Sequence, residues 1–197
     1  ALTANTDGSN NTAVGNNAGA SITTGDFNTA VGDNAGAGFS TGRDNTAIGY
    51  ATLDSSTTDM QYCTAVGSAA LTANTQNYNT AVGASALREN TSGAANTAMG
   101  YQALRYNETG ANNTAVGFEA GASATTVNTS HVTAVGASAL TANEADQVTA
   151  VGSLALIANS DGTGNTALGY SAGYGIVSGG NNTFIGNLAG GGTETIP

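Results

Sequence analysis

The chain has 197 residues, 8% of them charged, with thirteen acidic residues against three arginines, no lysine and a formal net charge of −10. That balance argues against nucleic-acid partners, whose phosphates demand a basic surface, and against anionic membrane surfaces. A single cysteine, Cys63, rules out an intrachain disulfide, and no apolar run approaches the roughly 20 residues of a membrane-spanning helix.

The first recurring unit is Asn11-Thr12-Ala13-Val14-Gly15, and its Thr returns at 29, 46, 64, 80, 97, 114, 133, 149, 166 and 183. The spacings are 17, 17, 18, 16, 17, 17, 19, 16, 17 and 17 residues, with a Gly three positions after every Thr. A period of this size, sustained along the chain, marks a stacked repeat array. It replaces the length-based expectation of one or two globular domains with a single domain over 1–197 in which each unit contacts its neighbours. The opening Ala1-Leu2-Thr3-Ala4-Asn5 matches Ala70-Leu71-Thr72-Ala73-Asn74 in the middle of a repeat, so the chain is expected to be a segment of a longer fibre or a filament subunit.

Counting from each Thr as position 0, position −1 is Asn in eight copies, from Asn11 to Asn182. Identical amides stacked at the strand spacing of about 4.8 Å are expected to hydrogen-bond in a ladder along the axis. Asn10-Asn11-Thr12 and Asn107-Glu108-Thr109 also fit the glycosylation sequon, a chance match in a chain this rich in Asn and Thr. Position +1 is Ala in ten of eleven copies, Phe184 being the exception. Position +2 is Val14, Val31, Ile48, Val66, Val82, Met99, Val116, Val135, Val151, Leu168 and Ile185. Thr-Ala-Val is a short β-prone tripeptide whose successive side chains take opposite faces. The reading from hydrophobicity puts the +2 column in the core and the Ala column outside, where its uniform smallness predicts close approach of a second chain or layer.

The Gly at +3 suits a tight corner. Position +7 is Leu in six copies and Gly in five; in three Gly copies a large residue stands at +10 instead (Ile22, Phe39, Ile176), whereas Ala124 and Thr193 fill that role poorly. One large core side chain per turn, supplied from either site, is what constant packing density requires. Gly recurs at +13 in six copies and predicts a turn in the left-handed backbone region, on a variable, solvent-facing arc that holds eleven of the thirteen acidic residues.

The pattern excludes helical repeats and predicts an all-β fold, a parallel β-solenoid or β-roll of about eleven turns, roughly 50 Å long at the strand spacing. Its thin core favours a homo-oligomer, most simply a trimer about the fibre axis. The Asn-Thr-Ala-Val-Gly-x-x-Ala unit resembles the Ser-Val-Ala-Ile-Gly-x-x-Ser-x-Ala repeat of trimeric autotransporter (YadA-like) adhesin heads. It is closer to the Asn-Thr-Ala-Ile-Gly-Tyr-x-Ala-Leu repeats of phage tail fibres, a version seen in Thr97 to Leu104. The resemblance implies a left-handed roll, a homotrimer, an extracellular or virion location and a role in adhesion; the 17-residue period departs from the adhesin head repeat.

Chemistry is sparse. His131, the only histidine, falls in the longest insertion and reads as an exposed loop residue, and Cys63 as a small buried hydrophobe. Carboxylates are scattered rather than paired, and no calcium-binding repeat or EF-hand loop occurs, so neither an enzyme nor a metal or other cofactor is expected. At +4, Tyr50, Tyr101, Phe118 and Tyr170 either stack on sugar rings or lean on neighbouring Ala rungs to cover the core. Three functions follow: an adhesive fibre segment whose loops contact a host receptor or glycan, a filament stacking end to end, and an ice- or surface-binding solenoid.

Overall fold

In the computed structural model the described residues are 1–54, 59–123 and 128–191. Eleven three-residue strands run β1 (Thr12–Val14), β2 (Thr29–Val31), β3 (Thr46–Ile48), β4 (Thr64–Val66), β5 (Thr80–Val82), β6 (Thr97–Met99), β7 (Thr114–Val116), β8 (Thr133–Val135), β9 (Thr149–Val151), β10 (Thr166–Leu168) and β11 (Thr183–Ile185). They form one parallel sheet in sequence order, and every strand pairs in register with the next, Thr on Thr and +2 on +2. The fold is an all-β parallel solenoid.

The sides of the strands are the reverse of the hydrophobicity reading. Ala30, Ala47, Ala65, Ala81, Ala98, Ala115, Ala134, Ala150 and Ala167 are wholly buried. The +2 column instead points outward: Val14, Ile48, Met99, Val116, Leu168 and Ile185 are exposed, and Val31, Val66, Val82, Val135 and Val151 are half-buried. Asn at −1, Ala at +1 and Gly at +3 therefore share the inner side. The coil is too thin for a branched residue at +1, because the +7 or +10 side chain already fills the space across from it. Phe184 marks that limit. It replaces Ala at +1 where both Gly173 and Gly190 stand at +7, and a Cβ on Gly173 would lie 3.1 Å from its ring. Of the weak core fillers, Ala124 and Thr193 lie outside the described residues; Phe184 supplies the bulk in the last rung.

Six +7 positions hold Leu with φ between 47° and 55° (Leu53, Leu71, Leu87, Leu104, Leu140, Leu156), and all six are buried. A Leu in the left-handed region costs on the order of 1–2 kcal/mol. Burying its side chain contributes about 1.5–3 kcal/mol, so either Leu or an unstrained Gly is workable, and the column divides between them. Besides the +3 glycines, whose φ lies between 123° and 140°, the other positive-φ positions are −2 and +5, exemplified by Phe27 (58°) and Ser85 (58°). The +13 glycines are not left-handed, apart from Gly179. Their cause is space: a Cβ on Gly42 would lie 2.6 Å from the Met60 carbonyl oxygen, and one on Gly162 2.5 Å from Asn165 Nδ2.

Two internal amide columns tie the rungs together. The backbone N–H of Asn28 donates to Asn11 Oδ1 (2.9 Å), that of Asn45 to Asn28 Oδ1 (3.1 Å) and that of Cys63 to Asn45 Oδ1 (3.0 Å). The column resumes from Asn79 through Asn96 and Asn113 to the N–H of Val132. A second column at +10 links Asn90 to Asn74 and Asn107 to Asn90. Both converge on one acceptor, since Asn79 Nδ2 and Asn90 Nδ2 donate to the Gly93 carbonyl at 2.8 and 2.9 Å. Buried amides whose donors and acceptors are met in this way fix register as well as stability. Asn107 is one of these buried amides, so it is not open to glycan attachment.

Candidate functional site

With Ala inside, the strands offer solvent two parallel columns, the Thr side chains and the +2 aliphatics. Alternation puts Thr and +2 on the same side, and in-register pairing repeats them at the rung spacing of about 4.8 Å. The face is about 50 Å long over the eleven strands. Among the described residues, none of the Thr side chains at position 0 makes a hydrogen bond, so their hydroxyls are available to solvent or a partner. The exposed +2 residues vary between Val, Ile, Met and Leu but are never polar.

Aromatic residues stand at the corners that flank this face. Tyr50, Tyr101, Phe118 and Tyr170, the +4 residues singled out in the sequence, are all about half exposed. They do not cover the core, because the inner side is closed by Asn, Ala and Gly. Tyr101 and Phe118 stack on adjacent rungs with ring centroids 5.4 Å apart and planes 19° apart. Rungs carrying Ser68 and Ala84 separate Tyr50 from this pair, and Ala137 and Ser153 separate Tyr170 from it. The four residues are thus one column containing one stacked pair, not one cluster.

The opposite corner, at −2, carries a second aromatic set that the sequence reading passed over: Phe27, Tyr62 and Tyr78, all exposed. Tyr62 and Tyr78 stack at 5.4 Å with planes only 6° apart. Their signal was present, since all stand two residues before a repeat Thr. It was obscured because Asn, Asp, Ala, His, Gln and Gly occupy the same column elsewhere. His131 belongs to it too: it is exposed with φ 61°, and its backbone N–H donates to the Ala111 carbonyl (3.1 Å), so it sits on a regular corner despite the insertion before it.

Among the described residues the remaining titratable groups do not converge. Asp54 is raised above the usual carboxylate range, first by burial and then by the charge of Asp33. Among the described residues no group of three or more His, Cys, Asp or Glu could hold a metal ion, and no helix is long and apolar enough to cross a membrane. Cys63 is fully buried, and burial pushes its thiol up to about 11. Its Sγ donates to the Gln76 carbonyl at 3.2 Å. Because the thiolate is the nucleophile, Cys63 is expected to resist a disulfide reagent at about pH 8 in the native protein and to react fully once denaturant is added. A timed thiol titration checks this; rapid native reaction would show an open site.

Comparison with protein-family models, with curated proteins and with solved structures finds no match.

Proposed function

We propose that this chain is a segment of an extracellular structural or adhesive fibre, in which the rungs are a rigid scaffold and copies associate through the Thr and +2 face. The carrying observation is the exposed +2 column. An unbroken apolar stripe along the whole sheet is larger than the few hundred Å² that monomers usually leave open, and such patches mark interaction sites. At roughly 50 Å long and 10–20 Å wide, the face approaches the roughly 800 Å² per partner of a standard interface.

A second copy is the natural occupant. In a parallel in-register assembly each residue meets its own counterpart, so Met99 faces Met99 and Val82 faces Val82 with no mismatch of size. Three copies about a common axis follow from the resemblance to adhesin heads and tail fibres. The sequence reading gave the contact to Ala; the burial of Ala moves the proposed contact to the +2 aliphatics. The corner aromatics and the variable arc remain available for a host receptor or glycan, and the same reading makes the protein non-enzymatic.

Mass measurement by light scattering tests the association, with a trimer expected. The double variant Val82→Asp/Val116→Asp, which sets carboxylates on the face, is expected to be monomeric with an unchanged far-ultraviolet circular dichroism spectrum. A wild-type chain that stays monomeric at high micromolar concentration would sink the proposal, and long polymers would favour end-to-end filaments.

One observation favours a second reading. The free Thr hydroxyls lie beside the aliphatics on a regular, rigid and nearly uncharged face, which suits ordered water at an ice surface. Crystal habit observed under a microscope decides it: a monomer that shapes growing ice supports this reading, and unchanged habit removes it.

A further inference from the structure

We propose that Arg88 and Arg105 form a two-guanidinium clamp for the carboxylate of an acidic sugar, on the arc beyond the +7 column. The proposal rests on the recognition half of the fibre reading, although its test does not depend on oligomeric state. Only three arginines occur in a chain of net charge −10, and two of them occupy +8 in successive rungs. The Glu89 N–H donates to the Arg105 carbonyl at 3.0 Å, which holds the two rungs in register. Their backbones are therefore about one strand spacing, 4.8 Å, apart, and like charges placed side by side on a ladder destabilise it. An anion between them reverses that penalty.

The two guanidinium groups are only partly neutralised from within. Arg88 has Glu89, at 3.6 Å and with both side chains about two-fifths exposed, the geometry of an ordinary surface pair. Arg105 makes no ion pair among the described residues; Glu108, three positions further along the same rung, is not bonded to it. Its guanidinium carbon lies over the Tyr106 ring, 4.8 Å from the centroid. Its Nε is buried with no hydrogen-bond partner. A buried Nε is out of reach of a ligand, so the terminal Nη1 and Nη2 of Arg105, which no ion pair occupies among the described residues, are what remain for a further acceptor. The planar fork of arginine matches a carboxylate with two parallel hydrogen bonds.

The class of ligand follows from the surroundings. The acidic chain repels polyanions at long range, which disfavours sulfated polymers and leaves a singly charged ligand. Thr72 and Ala122, the neighbours of the pair in the +8 column, are small, and Tyr106 supplies an aromatic ring beside Arg105. A sugar ring bearing one carboxylate fits these conditions.

The test is nuclear magnetic resonance of the arginine Nε–H groups, of which the chain has three. Glucuronate is expected to shift the Arg88 and Arg105 signals saturably, with Arg43 unmoved and glucose without effect. Arg105→Lys, which keeps the charge and loses the fork, is expected to weaken binding at least tenfold, as is Arg88→Gln, with circular dichroism confirming the fold. Equal drift of all three signals, a shift that survives Arg105→Lys, or the same saturation with inorganic sulfate would overturn the clamp. Neither arginine lies on the Thr and +2 face, so the mass of the assembly is expected to stay the same in both variants. A trimer without the clamp refutes this inference alone, and a monomer that binds glucuronate refutes the oligomer alone.

Discussion

Gly117→Ala is expected to destabilise the solenoid by more than about 4 kcal/mol, a loss reserved for backbone or core disruption. Gly117 stands at +3 with φ +140°, where an L-side chain is strained regardless of space. Strain of that kind costs about 1–3 kcal/mol. A Cβ there would also lie 2.6 Å from the Gly136 carbonyl oxygen and 2.7 Å from its carbon. Both are backbone atoms of the next rung, so no rotamer change relieves the overlap. The rungs must separate, and the hydrogen bond from the Gly136 N–H to the Val116 carbonyl, 2.8 Å, loses its geometry. Urea unfolding followed by circular dichroism measures the loss. A drop below about 1 kcal/mol, the size of an ordinary substitution, would mean the rungs can part at little cost and would remove stacking as the cause of the Gly column.

The period and the strict Gly made the architecture readable from the sequence, because only a stacked coil needs the same small residue at the same place in every turn. The side of each strand was not readable. Ala81 and Val82 are both apolar, and in most sheets the larger is buried. What decides here is the interior width, set by Leu87 and Leu104 reaching across from +7, and no local pattern encodes that distance. The Leu/Gly alternation was visible as volume exchange between +7 and +10. Its backbone cause, a left-handed φ, was hidden because Leu is not a residue that announces one. The same holds at −2, where Tyr62 and Tyr78 sit with φ 57° and 63°. Of the candidate site, the +4 aromatics were found by register alone. The Thr and +2 face is not legible in the sequence, because hydrophobicity alone assigns its residues to the core.

The Asn column provides the other large effect, and here the chain contains its own comparison. Asn96 Oδ1 accepts the buried N–H of Asn113 at 2.9 Å, while Asn96 Nδ2 donates to the Gly110 carbonyl at 2.8 Å. Gly110 keeps a second donor, Asn107 Nδ2 at 2.9 Å, so Asn96→Ala orphans only the Asn113 N–H. The expected cost is about 2–3 kcal/mol, the desolvation of one unsatisfied buried donor plus a small cavity. Cys63 occupies the same column, and its sulfur takes the backbone N–H of Asn79, a weak acceptor in the place of an amide oxygen. Asn96→Cys is therefore expected to cost less than Asn96→Ala, and Cys63→Asn to stabilise by up to about 1 kcal/mol, the net worth of a typical hydrogen bond. Denaturation midpoints of the three variants separate the causes. If Ala and Cys at 96 cost the same, the column acts by packing volume and not as a ladder of acceptors. If Cys63→Asn also destabilises, Cys63 is a packing residue whose polar neighbours contribute nothing.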